Sequence, residues 1–127
     1  MPNYKYLIGG GGMTADAAMH GIHEVDPGGS IGVISAERHR PYDRPPLSKA
    51  LWKGTPLEKV WRASPDTGVE FHLGCQARTL DLKTKLVTDN QGKEYKFDKL
   101  LLATGGTPRR LPFGGDEIIY FRTLDDY

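Results

Sequence analysis

The chain has 127 residues, 38% hydrophobic and 26% charged, with a formal net charge of +1. That is the balance of one globular domain able to bury roughly two-thirds of its unfolded surface, and it gives no electrostatic case for a nucleic acid or a membrane surface as partner. No apolar run is long enough to span a bilayer, the N-terminal MPNYKY does not lead into a secretory signal, and a single cysteine, Cys75, excludes an internal disulfide, so a reducing, cytoplasmic setting is expected.

Residues 4–8, YKYLI, read as a short buried strand, and four glycines follow as a turn. From Met13 the pattern becomes helical, with Ala15, Ala18, Met19 and Ile22 on one face. Asp26-Pro27-Gly28-Gly29 should stop that helix, and residues 31–35 form a second strand. Strand, glycine turn, helix and strand make a βαβ unit, with parallel strands and a right-handed crossover. Next comes ERHRPYDRPPLSKALWKG, residues 37–54, which carries three arginines, two lysines and three prolines. Within it, residues 47–52 suggest a short helix, with Pro46 suited to its first turn.

Residues 69–73 read as a strand. Residues 80–88 and 94–97 suggest a hairpin around Asp89-Asn90-Gln91-Gly92. The continuous apolar run 100–103 predicts a strand buried on both faces, ending at Thr104-Gly105-Gly106. The last stretch, GGDEIIYFRTLDDY, suggests one more short strand, with Asp125 and Asp126 as a solvated helix start.

Two features carry chemistry. Gly10-x-Gly12-x-x-Ala15 fits a dinucleotide fingerprint with alanine in the third position, a register that places small Ala15 rather than Thr14 there. The first glycine allows the tight turn, the second lets a pyrophosphate approach the backbone, and the third position lets helix pack on strand. The helix N-terminus then offers free N–H groups to phosphate. Gly11, Met13 and Thr14 complete that turn. Glu37, just past the second strand, can accept the hydroxyls of an adenosine ribose, with Arg38 beside it. A carboxylate there argues against a 2′-phosphate. It does not separate FAD from NAD.

Three stretches, GGGMTADAA, PYDRPPLSKALW and LLLATGGTPRRLP, resemble in order and spacing the FAD domain of the pyridine nucleotide–disulfide oxidoreductase superfamily. The likeness is strongest to ferredoxin and rubredoxin reductases and to apoptosis-inducing factor, and it covers essentially the whole chain. It implies a three-layer, Rossmann-like α/β domain over residues 1–127, with a central parallel sheet and a small antiparallel β-meander. It implies FAD as cofactor, NAD(P)H as substrate and a ferredoxin-like or quinone electron acceptor. A redox-signalling flavoprotein with little turnover is the alternative.

By the same resemblance, Arg44 reaches the FAD pyrophosphate, where a guanidinium fork suits phosphate. Lys49 is the catalytic candidate, a cation beside the flavin ring that tunes its potential. Ala77 or Arg78 meets adenine, and Ala103, Thr104, Gly105 and Arg109 belong to the segment passing the cofactor. The prolines would hold the cationic arm at low entropic cost.

Some positions depart from the pattern. Gly9 stands where a branched apolar residue is usual and is expected to loosen the end of the first strand, and Met19 replaces a small residue. A lone Cys75 rules out the redox-active cysteine pair and reads as an inert, partly buried thiol. His20, His23, His39 and His72 give no metal-ligand pattern, and Trp52 and Trp61 read as packing residues. Members of the superfamily are much longer, so the chain is expected to be an N-terminal portion without NAD(P)H-binding and C-terminal domains, unable by itself to turn over NAD(P)H.

Overall fold

The computed structural model describes residues 1–127 and opens with β1 (Asn3–Gly9), the helix α1 (Met13–Val25) and β2 (Ile31–Ser35). β1 and β2 are parallel, from Tyr6 opposite Ile31 to Gly9 opposite Ile34, so the βαβ unit stands as the periodicities predict. The apolar stripe of α1 is the expected one. Ala15 and Met19, flanked by Ala18 and Ile22, pack on Ile8, Ile31 and Val33. Fully burying side chains of this size contributes about 1.5–3 kcal/mol each. The helix stops at Asp26, whose N–H donates to the Ile22 carbonyl at 2.7 Å, ahead of a proline that could not continue it. Gly9 does not loosen β1: it pairs with Ile34 on one side and Leu102 on the other.

The remaining strands are β3 (Val69–Leu73), β4 (Ala77–Asp81), β5 (Leu86–Asp89) and β6 (Glu94–Leu102). All six lie in one sheet, in the order β3-β2-β1-β6-β5-β4. β3 joins β2 in parallel, β6 joins β1 in parallel, and β4, β5 and β6 form an antiparallel meander. The expected strands at 94–97 and 100–103 are therefore one strand of 9 residues. One edge of β6 answers β5 and the other answers β1, so a single strand serves hairpin and parallel sheet together. The expected strand 80–88 is in turn divided by a turn in which Lys85 takes a left-handed φ of 53°.

α1 covers one face of the parallel strands. A second cluster joins the parallel strands to the meander, with Val87, Tyr95 and Phe97 packed on Tyr4, Leu7 and Ile34. This is the α/β Rossmann-like architecture expected, with the meander continuous with the central sheet.

Three further expectations change. The run 100–103 is not buried on both faces, because Leu101 is 39% and Leu102 63% exposed. The cluster under α1 takes in Ala103 but neither Leu101 nor Leu102. Residues 47–52 are not one helix but parts of two 3₁₀ turns, Pro45–Ser48 and Ala50–Lys53, broken at Lys49. Two consecutive prolines leave this turn short of N–H donors. No strand follows Ala103: the C-terminal stretch holds the 3₁₀ turns Gly115–Glu117 and Leu124–Asp126. Asp126 caps the latter reciprocally with Thr123, which makes the two terminal aspartates a turn start. The tryptophans lie at the surface. Trp52 donates its indole N–H to the Leu47 carbonyl at 2.6 Å, and Trp61 meets the Tyr42 ring edge-on.

The long loop between β2 and β3 is not loose. Tyr42, Leu47, Leu51 and Val60 form their own small core with Leu124. A bridge between Tyr42 and Trp61 closes its neck.

Candidate functional site

β1, β2 and β6 run in parallel and all end at one edge of the sheet. The chain leaves β1 toward β2 on one side and returns as β6 on the other, so the gap between β1 and β6 is the topological switch point where α/β sheets bind ligands. A cleft of about 1090 Å³ opens there, at the upper end of ligand-pocket sizes.

The glycine turn forms its floor, and each position has a distinct task. Gly10 has φ 121°, and a Cβ there would lie 2.0 Å from the Ala103 carbonyl oxygen, so no side chain fits between β1 and β6. Gly12 is the N-cap of α1. A Cβ there would meet nothing within 4 Å, and no side chain caps the helix. The first N–H groups of α1 thus face the cleft without a side-chain partner. Ala15 is fully buried at the helix–sheet contact. The three positions thus differ in geometry: a turn at Gly10 where no side chain fits, an open N-cap at Gly12 and a buried packing position at Ala15.

At the end of β2, Glu37 lines the cleft with its carboxylate engaged from the loop side. Tyr42 donates its hydroxyl to Oε1 at 2.5 Å and Arg44 donates Nη2–H to Oε2 at 2.5 Å. Arg44 also donates through Nη1 to the Tyr42 oxygen and to the Arg122 carbonyl, each at 3.1 Å. Tyr42 accepts a further bond from the Leu124 N–H at 2.8 Å. Burial, reinforced by its bond to Glu37, pushes the Tyr42 hydroxyl up to about 12, so it stays a neutral donor.

Beneath this, the loop is pinned to α1. Asp16, in the first turn of the helix, is 2% exposed. Arg62 donates Nε–H to one of its oxygens at 2.7 Å and Ser64 donates its hydroxyl to the other at 2.5 Å. Burial alone would raise the Asp16 carboxyl, but the bonds from Ser64 and Arg62 outweigh it and hold the group below the usual carboxylate range.

Of the candidates read from the sequence, Gly10, Gly11, Gly12, Met13, Thr14, Glu37, Arg44, Ala77, Ala103, Thr104 and Gly105 line the cleft. Arg38, Lys49, Arg78 and Arg109 are exposed and stand outside its lining. Lys49 lies where the two 3₁₀ turns meet, beside Ser48, which lines a smaller adjoining cavity of about 350 Å³.

The sequence reading missed two cations. Arg110 stands over the Tyr120 ring at 4.8 Å and lines the main cleft, and Arg122 lines both cavities with no carboxylate partner. Arg122 lies within GGDEIIYFRTLDDY, a stretch read from the sequence as a short strand and a helix start. Tyr42, Asp43, Asp16 and Arg62 were also missed. Tyr42, Asp43 and Asp16 lie within stretches that carry the resemblance without a role being assigned to them, and Arg62 is marked out only by its partners Asp16 and Asp43.

The sequence matches the family described as pyridine nucleotide-disulphide oxidoreductase over residues 4–127. The chain belongs to that family. Ferredoxin–NAD reductases of the family depend on FAD and take NAD(P)H as substrate.

Among its relatives, the mitochondrial apoptosis-inducing factor 1 of Dictyostelium discoideum is 34% identical over 98% of this chain and 27% of its own length. A rubredoxin-NAD(+) reductase of Pseudomonas putida is 32% identical over 94% of this chain and 33% of its own. The crystal structure of a ferredoxin reductase from Rhodopseudomonas palustris superposes with a TM-score of 0.81 at 26% identity, over 99% of this chain and 32% of that one. The chain thus spans about a third of the length of the relatives it matches. No helix is long and apolar enough to cross a membrane, and no group of three or more His, Cys, Asp or Glu residues could hold a metal ion.

Proposed function

We propose that this chain is the FAD-binding portion of an NAD(P)H-dependent flavoprotein oxidoreductase that passes electrons to a ferredoxin-like or quinone acceptor. The observation that carries the reading is the β1–β6 switch-point cleft. There Gly10 cannot bear a side chain, Gly12 faces open space, and the uncapped N-terminus of α1 is aimed inward. These features fit a pyrophosphate.

FAD, when bound, supplies a group that accepts a hydride from a nicotinamide and releases the electrons onward. The chain's own residues bind and orient it. The first N–H groups of α1 hold the pyrophosphate. Glu37 accepts ribose hydroxyls at the end of β2, using lone pairs that Tyr42 and Arg44 leave free. Arg44 and Arg122 neutralise phosphate charge. Ala77 meets the adenine, while the backbone of 103–105 borders the cofactor. Lys49, which the resemblance assigns to the flavin ring, is carried on the loop that bounds the smaller cavity, and its positive charge there would tune the potential of a bound flavin. Hydride transfer, acceptor and partner belong to the whole protein. The 127 residues alone do not turn over NAD(P)H, and the cytoplasm is the proposed setting.

The test is the visible absorption spectrum of the chain after incubation with FAD and desalting. Retained flavin bands, weakened in Glu37→Ala and Arg44→Ala, support the reading. A chain that keeps no flavin and leaves FAD fluorescence unchanged throughout a titration sinks it.

The 34% identity to an apoptosis-inducing factor favours one second reading, a redox-signalling flavoprotein with little turnover. Slow reduction by NADH, a long-lived charge-transfer band and no electron delivery to ferredoxin or quinone would select it.

A further inference from the structure

Asp16 and Arg62 are separated by 46 residues, yet they join the helix of the glycine turn to the arm that carries Arg44. Asp16 follows the N-cap of α1 closely, and its own N–H bonds the Gly12 carbonyl at 3.1 Å. Its two oxygens are taken by Arg62 and Ser64. Arg62 then reaches on with a different nitrogen: Nη1 donates to Oδ1 of Asp43 at 2.5 Å. Asp43 is the residue before Arg44. Backbone bonds clamp the two stretches together, with Asp43 N–H on the Val60 carbonyl at 2.8 Å and Arg62 N–H on the Pro41 carbonyl at 3.2 Å. The result is one continuous path from glycine turn through Asp16, Arg62, Asp43 and Arg44 to Glu37.

A buried acid in the first turn of this helix has a cost. Unneutralised, it would repel an anion bound at the helix N-terminus. Arg62 removes that conflict and fixes the loop at the same time. It can do both because a guanidinium presents several N–H groups in a rigid fork, which the single nitrogen of lysine does not.

We infer that Asp16 and Arg62 are positioning residues that set the arm carrying Arg44 against the glycine turn, so that cation and helix N-terminus meet one anionic cofactor. This rests on the FAD reading of the cleft. The test therefore has one readout that needs FAD and one that does not. Asp16→Asn keeps the shape and removes the charge. Arg62→Lys keeps the charge and removes the fork. For both, and for the double variant, amide hydrogen exchange and FAD affinity by fluorescence quenching are measured on the whole chain.

The amides of Asp43 and Arg62 should exchange at least about ten-fold faster in each single variant, while those of Gly10 and Ala103, on the sheet, keep wild-type rates. FAD affinity should fall by about ten-fold in each, with little further loss in the double variant, because both act through one latch. Unchanged exchange at Asp43 and Arg62 would overturn the inference. So would faster exchange with wild-type FAD affinity, which is the signature of a plain fold staple. Full rescue of both readouts by lysine would show that charge alone suffices and would overturn the bridging role. A wild-type chain that binds no FAD would sink the cofactor reading instead. In that case faster loop exchange in the variants would still support the latch, and unchanged exchange would overturn it too.

Discussion

Arg44 donates to Glu37 at 2.5 Å, so the two residues expected to grip separate parts of one cofactor hold each other in this structure. The pair does not close the site. Arg44 has five N–H donors, and its bonds to Glu37, Tyr42 and the Arg122 carbonyl leave donors to spare. Glu37 accepts one bond on each oxygen and keeps a lone pair on each. The ion pair orients both residues in advance of binding, which lowers the ordering cost.

Both side chains retain some contact with water, so their mutual attraction is moderate. A double-mutant cycle with Arg44→Ala and Glu37→Gln, read by urea unfolding without FAD, should give a coupling of about 1–2 kcal/mol. The same variants should weaken FAD binding. No coupling together with unchanged affinity would show the pair to be incidental.

Gly10 and Gly12 should separate folding from binding. Gly10→Ala puts a methyl group into the Ala103 carbonyl at a φ of 121°, so it should cost about 3 kcal/mol or more in chemical denaturation. Gly12→Ala meets no protein atom and should change stability by less than about 1 kcal/mol, since only the N-cap preference is altered. It should nonetheless lower FAD affinity, because its methyl group occupies space left for the phosphates. Equal effects of both variants on unfolding would contradict this division.

Tyr42 predicts an alkaline limb in stability. Its hydroxyl is held neutral to about 12 by burial and by Glu37, against an unfolded value of 10.0. The folded state therefore binds this proton more tightly, and the contribution is complete below pH 10 and lost as pH rises toward 12. Tyr42→Phe should flatten that limb and cost about 1–2 kcal/mol at neutral pH, because the Leu124 N–H loses its acceptor. Stability profiles that coincide for variant and wild type between pH 9 and 12 would refute the assignment.

Two buried carboxylates predict the acid limb. Asp16 is held low by Ser64 and Arg62 against its burial. Asp89, which also closes the β5–β6 turn, is held low against its burial by Tyr95 and the N–H groups of Gln91 and Lys93. Their folded pKa values lie below the unfolded 3.8, so their stabilisation is present above that value and lost as pH falls through the folded ones. Asp89→Asn should make stability less steep below pH 4 and cost about 1–3 kcal/mol at pH 7. An unchanged acid slope in urea midpoints would show that Asp89 does not contribute.

The sequence by itself determined β1, α1, β2 and the place of the glycine turn between them. Each of these rests on a period of two or of 3.6 residues, or on a steric demand within a few positions of the chain. It also determined the family, because the order of three motifs survives without knowledge of their contacts. Only the tertiary structure decided that 94–102 is a single strand, since a local pattern cannot show that its two edges meet different neighbours. It alone decided that Leu101 and Leu102 stay exposed, since their apolar character says nothing of which neighbours come to cover them. And it alone brought Glu37 to Arg44 and Asp16 to Arg62. Ion pairs carry no periodic signature, and partners 46 residues apart become neighbours only when the loop folds back on the helix.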